Sequence, residues 1–430
     1  MRNSTSLATV EHGLYVAYAA LATMAIVPIY FGSFSSLKKW KNPKVEKRAA
    51  KRQIDESDES EDDEPSESVS AGDAFILPVL GSVALYGLYL AFTHLDKIYV
   101  NYALTTYFAF LGVMAATLVG VSTFSSLAKL LGIKIEQWHI NLARKPKEFY
   151  SARFTIVHLV MIVASILLSA YYAVTKSWIV SNIFAVSFAL SAIQLFALDS
   201  FRTGIIFLSG LFVYDISWNF GGEAVMSVAK NLDFPIRVVF PRLFFGLPAG
   251  QAYKFATLSL GDIVIPGVFV AFCLRFDQHR AGTKNPELGR SKRFRKPYFT
   301  ACLVAYLLGL SASLYAMHIS KAAQPVLMYL SPACILSVLM TASIRGETKQ
   351  VFAYTSEEGL ETARIKKVAE EKKRKLQAQA RAQASRYARV SRLPNVIKEE
   401  SFVTSSRTSP EPAVPAASPS ESISQDKNNP

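Results

Sequence analysis

Nine stretches of mostly apolar residues, separated by polar breaks, constrain this chain more than any other feature, because a helix of about 20 such residues spans about 30 Å of hydrocarbon. They lie at 12–32, 74–93, 101–123, 154–174, 178–198, 203–220, 255–274, 298–319 and 324–344. Backbone inside lipid must satisfy its own N–H and C=O groups, so runs of this kind predict an all-α, polytopic membrane fold with nine transmembrane helices. Of the 430 residues, 51% are hydrophobic and only 19% charged, which makes a single soluble core the weaker reading.

The formal net charge of +14 is concentrated in inter-helix segments and the tail, a distribution that fits membrane topology and not nucleic-acid binding. The first apolar run is preceded by Arg2 and Glu11 and followed by a cluster of lysines and arginines at 38–52. That is the wrong flank for a cleaved signal and the right one for an anchor with a lumenal N-terminus. Nine crossings then place 124–153, 275–297 and the tail from Arg345 in the cytosol, and all three are basic. The expected organisation is a lumenal N-terminus at 1–11, a first helix at 12–32, a disordered basic-then-acidic linker at 33–73, helices two to five within 74–200, helices six to nine within 201–344, and a largely disordered cytosolic tail at 345–430. Asn3-Ser4-Thr5 is an N-glycosylation sequon on the end this topology makes lumenal. Cys273, Cys302 and Cys334 fall in or beside apolar stretches without zinc-ligand spacing, so they read as packing residues. No metal and no cofactor are expected.

Charges inside the apolar runs carry the functional information. Asp215 lies in the sixth run, within Phe212-Val213-Tyr214-Asp215-Ile216, and Asp262 in the seventh, within Leu260-Gly261-Asp262-Ile263. An acidic residue at mid-membrane costs about 2.5–3.5 kcal/mol on insertion scales, so two in neighbouring helices point to a proton relay, an ion path or a catalytic site. Two carboxyls held together share one proton, which leaves one as general base and the other as acid. That is aspartic-protease chemistry, in which activated water attacks a peptide carbonyl without a covalent intermediate. From chemistry alone, a cation- or proton-coupled transporter or channel stands level with a protease.

The local sequences resemble the three motifs of the presenilin and signal peptide peptidase superfamily. The YD motif is similar to Tyr214-Asp215, the GxGD motif to Ser259-Leu260-Gly261-Asp262, and the PAL motif to Pro325-Val326-Leu327 after Gln324. The wider context, Ile263-Val264-Ile265-Pro266-Gly267, Leu274-Arg275-Phe276-Asp277 and Met328-Tyr329-Leu330, resembles signal peptide peptidase in particular, as do the charge-derived orientation and the short 221–254 segment between the two acidic runs. The resemblance implies a presenilin-like fold, catalytic Asp215 and Asp262, support of the pair by Tyr214 and Gly261, and substrate binding by Gln324, Pro325, Val326 and Leu327. It also implies an intramembrane aspartic endopeptidase of the endoplasmic reticulum membrane, acting on remnant signal peptides and type II oriented membrane proteins. The expected partners are transmembrane substrates and the bilayer, with self-association or quality-control partners left open. Two positions depart from the family pattern. Ser259 replaces the first glycine, and its hydroxyl can bond the i−4 carbonyl and bend a helix; Val326 replaces the alanine and suits extended backbone. An inactive homologue that binds membrane clients is therefore a further alternative.

Cleavage inside a helix requires local unwinding, and the freed amides then need a strand-like partner. Two regions offer one: residues 325–327, and the β-prone stretch at 235–241, for which an ordinary interfacial segment is the simpler reading. Pro266 and Gly267 read as a point of flexure after Asp262.

Overall fold

The computed structural model describes residues 2–37, 68–69, 71–132, 137–144, 147–221, 237–242, 255–290, 293–320, 324–356, 359–360, 370–371 and 373–384. The acidic run at 55–64, residues 235–236 and the Ser- and Pro-rich end of the tail lie outside these. The chain divides into two units, Met1–Thr362 and Ala363–Pro430. Within the second, residues 370–371 and 373–384 are helical and exposed.

The first unit is mostly helical. Its helices are α1 (Arg2–Ser35), α2 (Ala71–His94), α3 (Lys97–Leu130), α4 (Ile156–Thr175), α5 (Trp178–Leu195), α6 (Phe201–Gly221), α7 (Leu260–Lys284), α8 (Pro286–Arg290), α9 (Pro297–Ser320), α10 (Leu327–Ile344) and α11 (Thr348–Ala353). Among the described residues, six stretches are long and apolar enough to cross a membrane: Gly13–Ser35, Lys97–Ala128, Ile156–Thr175, Trp178–Leu195, Pro297–Ser320 and Leu327–Ile344. Helices α2, α6 and α7 lie over the other three expected stretches without meeting that standard. The described apolar part of α2 is only Val79–His94. Helix α6 carries Arg202 and Asp215, and α7 carries Asp262, Arg275 and Asp277. Asn3 lies near the start of α1.

The fold is not purely helical. Short strands β1 (Ser68–Val69) and β4 (Ala197–Leu198) pair in parallel, while β2 (Gln137–Arg144) with β3 (Lys147–Thr155), and β5 (Arg237–Pro241) with β6 (Phe255–Ser259), form antiparallel hairpins. Strand β6 corrects the expectation of a helix over 255–274: its five residues are extended, and the helix that follows runs on to Lys284. The physical cause is a period-two pattern hidden in an apolar run. Ala256 and Leu258 are buried and Thr257 and Ser259 exposed, as on a half-covered strand. The ninth expected helix, 324–344, likewise begins only at Leu327.

Helix α7 occupies the interior, packed against α1, α5, α9 and α10. Its residues from Val268 to Asp277 are all buried, and the first seven of them, Val268 to Leu274, are apolar on every side of the helix. Close approach of its neighbours is set by glycine: a Cβ on Gly267 would lie 2.7 Å from Ile193 Cδ1 on α5 and 3.1 Å from Ile29 Cγ1 on α1. The Pro266-Gly267 pair, expected as a flexure, is thus a tightly packed crossing point. Below it, Phe201 of α6 meets Phe272 at 4.7 Å and Phe276 at 5.3 Å between ring centroids, both edge-on. The fold continues past α10. Val351 of α11 is buried, Tyr354 packs on Phe276, and Thr355 bridges to Ser200.

Candidate active site

Asp215 and Asp262 come together at the junction of α6, α7 and α10. Asp215 lies two-thirds of the way along α6, whereas Asp262 sits in the first turn of α7 and not in mid-helix as expected. Their carboxyl groups are within Coulombic reach of one another, and Asp262 is buried.

Each carboxyl is held at a helix N-terminus, where backbone N–H groups lack intrahelical partners and the helix dipole favours negative charge. For Asp262 the local sequence explains this. Ser259 is the N-cap of α7, with φ −69 and ψ 145, and Asp262 is the third helical residue, so its side chain folds back to accept the Ser259 N–H. Ser259 therefore ends a strand instead of lying within a helix, so there is no helical carbonyl at i−4 for its hydroxyl to bend against. Serine is among the residues best suited to an N-cap. For Asp215, the Leu327 N–H at the start of α10 donates to Oδ2 at 3.3 Å.

The PAL-like segment thereby reaches the acidic pair through Leu327. Val326 has φ −71 and ψ −37, helical values, so the extended backbone expected of this valine is absent. Gln324 accepts a hydrogen bond from the Tyr329 hydroxyl at 2.9 Å across the start of α10, past Pro325. Tyr214 turns toward α2: its hydroxyl lies 3.8 Å from where a Cβ on Gly81 would sit. A Cβ on Gly261 would meet only Ile265 at 3.7 Å and the Ser259 hydroxyl at 3.8 Å, ordinary contacts with its own neighbours along the chain. Gly261 leaves room beside Asp262 that none of the described helices fills.

Sequence reasoning missed Tyr306 on α9. Its buried hydroxyl donates to the Asp262 backbone carbonyl at 3.3 Å. The signal was present in the spacing, because Pro266 stands four residues after Asp262 and has no N–H to close that turn of the helix. The orphaned carbonyl needs another donor, and Tyr306 is that donor. Asn182 on α5 was missed as well. Its side-chain amide donates to the Val239 carbonyl at 2.7 Å and accepts the Val239 N–H at 2.9 Å.

The family model described as signal peptide peptidase matches residues 60–358, which include all of these groups. The chain belongs to the signal peptide peptidase family. Relatives include the signal peptide peptidases of Homo sapiens, 35% identical, and Mus musculus, 36% identical, each over 294 residues that cover 67% of this chain and 74% of the relative. A probable intramembrane protease of Schizosaccharomyces pombe is 34% identical over 291 residues, 67% of this chain and 84% of its own length. Membership in this peptidase family supports an intramembrane protease.

Proposed function

We propose that the chain is an aspartic endopeptidase that hydrolyses peptide bonds within transmembrane segments, acting on remnant signal peptides and type II oriented membrane proteins. The observation that carries this reading is the meeting of Asp215 and Asp262 on separate helices, within Coulombic reach, each accepting a backbone N–H at a helix start. In this reading the two acids share one proton, as two carboxyls brought together do. The ionised member takes a proton from water as the water attacks the scissile carbonyl, and the protonated member donates to the carbonyl oxygen, giving a tetrahedral diol. Proton return and C–N cleavage restore the pair. Nine crossings, a lumenal N-terminus, a cytosolic tail and residence in the endoplasmic reticulum belong to the same proposal, supported by the charge pattern and by the family.

Hairpin geometry supports a route for substrate presentation. Both peptide groups of Val239 face Asn182, so they point away from β6, and Val239↔Thr257 is a pair without mutual hydrogen bonds. By alternation, the backbone groups of Phe255, Thr257 and Ser259 point outward from the far side of β6. The Ser259 N–H indeed reaches Asp262 on that side. An unwound substrate that pairs along this edge is led to the acidic pair, with the space at Gly261 open to it.

Reconstitution in vesicles with a signal-peptide substrate tests the proposal. The parent chain is expected to release product, and Asp215→Asn and Asp262→Asn are each expected to abolish it. Cleavage that survives either change removes the pair from the reaction.

A further inference from the structure

An amide side chain that makes both hydrogen bonds of one strand residue behaves as a one-residue β-strand. Asn182 does this to Val239 from the side of α5, with bonds of 2.7 and 2.9 Å, while itself buried. Two consequences follow. The outer edge of β5, otherwise a ready template for an added strand, is occupied at its central residue. The hairpin is also tied to α5, and because β6 runs directly into α7, the tie bears on where Asp262 stands relative to the outward-facing edge of β6.

We propose that Asn182 is a positioning residue: it closes the β5 edge and sets the hairpin so that substrate pairs only along β6, in register with Asp215 and Asp262. This deepens the protease reading and rests on it. Asn182 touches neither the acids nor the reacting atoms in this account and acts through the backbone of Val239. Its donor and acceptor are both required. The amide NH2 meets a carbonyl oxygen, and the amide oxygen meets an N–H, so an ionised carboxylate of the same shape can serve only the second contact.

Asn182→Asp exploits that asymmetry. When protonated, the new carboxyl both donates and accepts and reproduces the amide; when ionised, it faces the Val239 carbonyl with negative charge. Loss of one buried hydrogen bond with repulsion in its place corresponds to about tenfold in rate. In reconstituted vesicles, N182D is expected to cleave about tenfold more slowly than the parent at about pH 8 and to approach the parent rate at about pH 5, near the range where carboxyls protonate. Rates are taken relative to the parent at each pH, so titration of Asp215 and Asp262 cancels. N182A is expected to be slow at both, with product ends spread over neighbouring peptide bonds by mass spectrometry. A parent-like rate for N182D across the range, or a loss that acid does not relieve, overturns the proposal.

A second variant serves if N182D does not accumulate. Val239→Pro removes the N–H that Asn182 accepts, and that N–H lies outside the β5–β6 ladder, where proline is tolerated. V239P is expected to slow cleavage about as much as N182A, and the double variant no further; additive losses overturn the claim. If the parent itself gives no product that depends on Asp215 and Asp262, the protease reading fails separately. Amide hydrogen exchange then decides for Asn182: β5 is expected to lose protection in N182A, and unchanged protection refutes the tie.

Discussion

Proline at 266 leaves the Asp262 carbonyl without its helical donor, and the Tyr306 hydroxyl replaces it at 3.3 Å. Tyr306→Phe should therefore cost about 1–3 kcal/mol, the penalty for an unsatisfied buried acceptor. Pro266→Ala restores an N–H at the missing position, so the double variant is expected to recover most of the loss; thermal unfolding of the four proteins checks this, and equal losses with and without Pro266 would disprove it. Glycines separate packing from access in the same way. Gly267→Ala places a methyl 2.7 Å from Ile193, inside a helix crossing, and is expected to lower Tm. Gly261→Ala meets only ordinary contacts, so Tm is expected to hold while cleavage falls about tenfold, the methyl standing on the proposed approach of substrate to Asp262. If G261A cleaves at the parent rate, that space is not the substrate path.

At the scale of elements, β5 and β6 divide the work of the hairpin. One strand is closed by α5 at Asn182, and the other keeps outward-facing peptide groups at Thr257. Thr257→Pro deletes an outward N–H without touching the ladder between the strands. It is expected to leave the fold intact, by circular dichroism and unfolding midpoint, while the apparent KM for a membrane-embedded substrate rises several-fold through loss of one strand-addition bond. An unchanged KM would assign substrate pairing elsewhere. Helix α10 has a matching double role: its first N–H meets Asp215, and its body packs on both α6 and α7.

Across the whole molecule, helices α7 and α9 and the end of α10 are joined, at the end of α7 distant from Asp262, by Glu347. Its carboxylate accepts from Arg280 of α7 at 2.7 Å, from the Tyr298 hydroxyl of α9 at 3.0 Å and from Arg345 at 3.3 Å. Burial alone would raise its pKa, but the Tyr298 hydroxyl and the two guanidinium groups outweigh it and hold the carboxyl below its usual range. A depressed folded pKa stabilises fully above the unfolded value, about 4.3, and the contribution is lost as pH falls through the lowered folded value. The Tm difference between parent and Glu347→Gln is thus expected to be largest above about pH 5 and to shrink on acidification; a difference independent of pH would place the effect in packing alone. Much of this architecture was legible in the amino-acid order. Apolar runs of membrane length announced a polytopic helical chain, because lipid leaves the backbone no other partner. Asp215 and Asp262 stood out because charge is costly there, and the residues around them carried the family. Hydropathy could not show that 255–259 is a strand, since an apolar stretch looks alike whether its period is two or 3.6. Nor could it show that Asp262 opens a helix, that Leu327 N–H reaches Asp215, or that Tyr306 and Asn182 complete hydrogen bonds for backbone far away in sequence. Those facts are pairings across 44, 57 and 112 positions. Local propensity is blind to them, and only the packing of α5, α6, α9 and α10 around α7 brings the partners within reach.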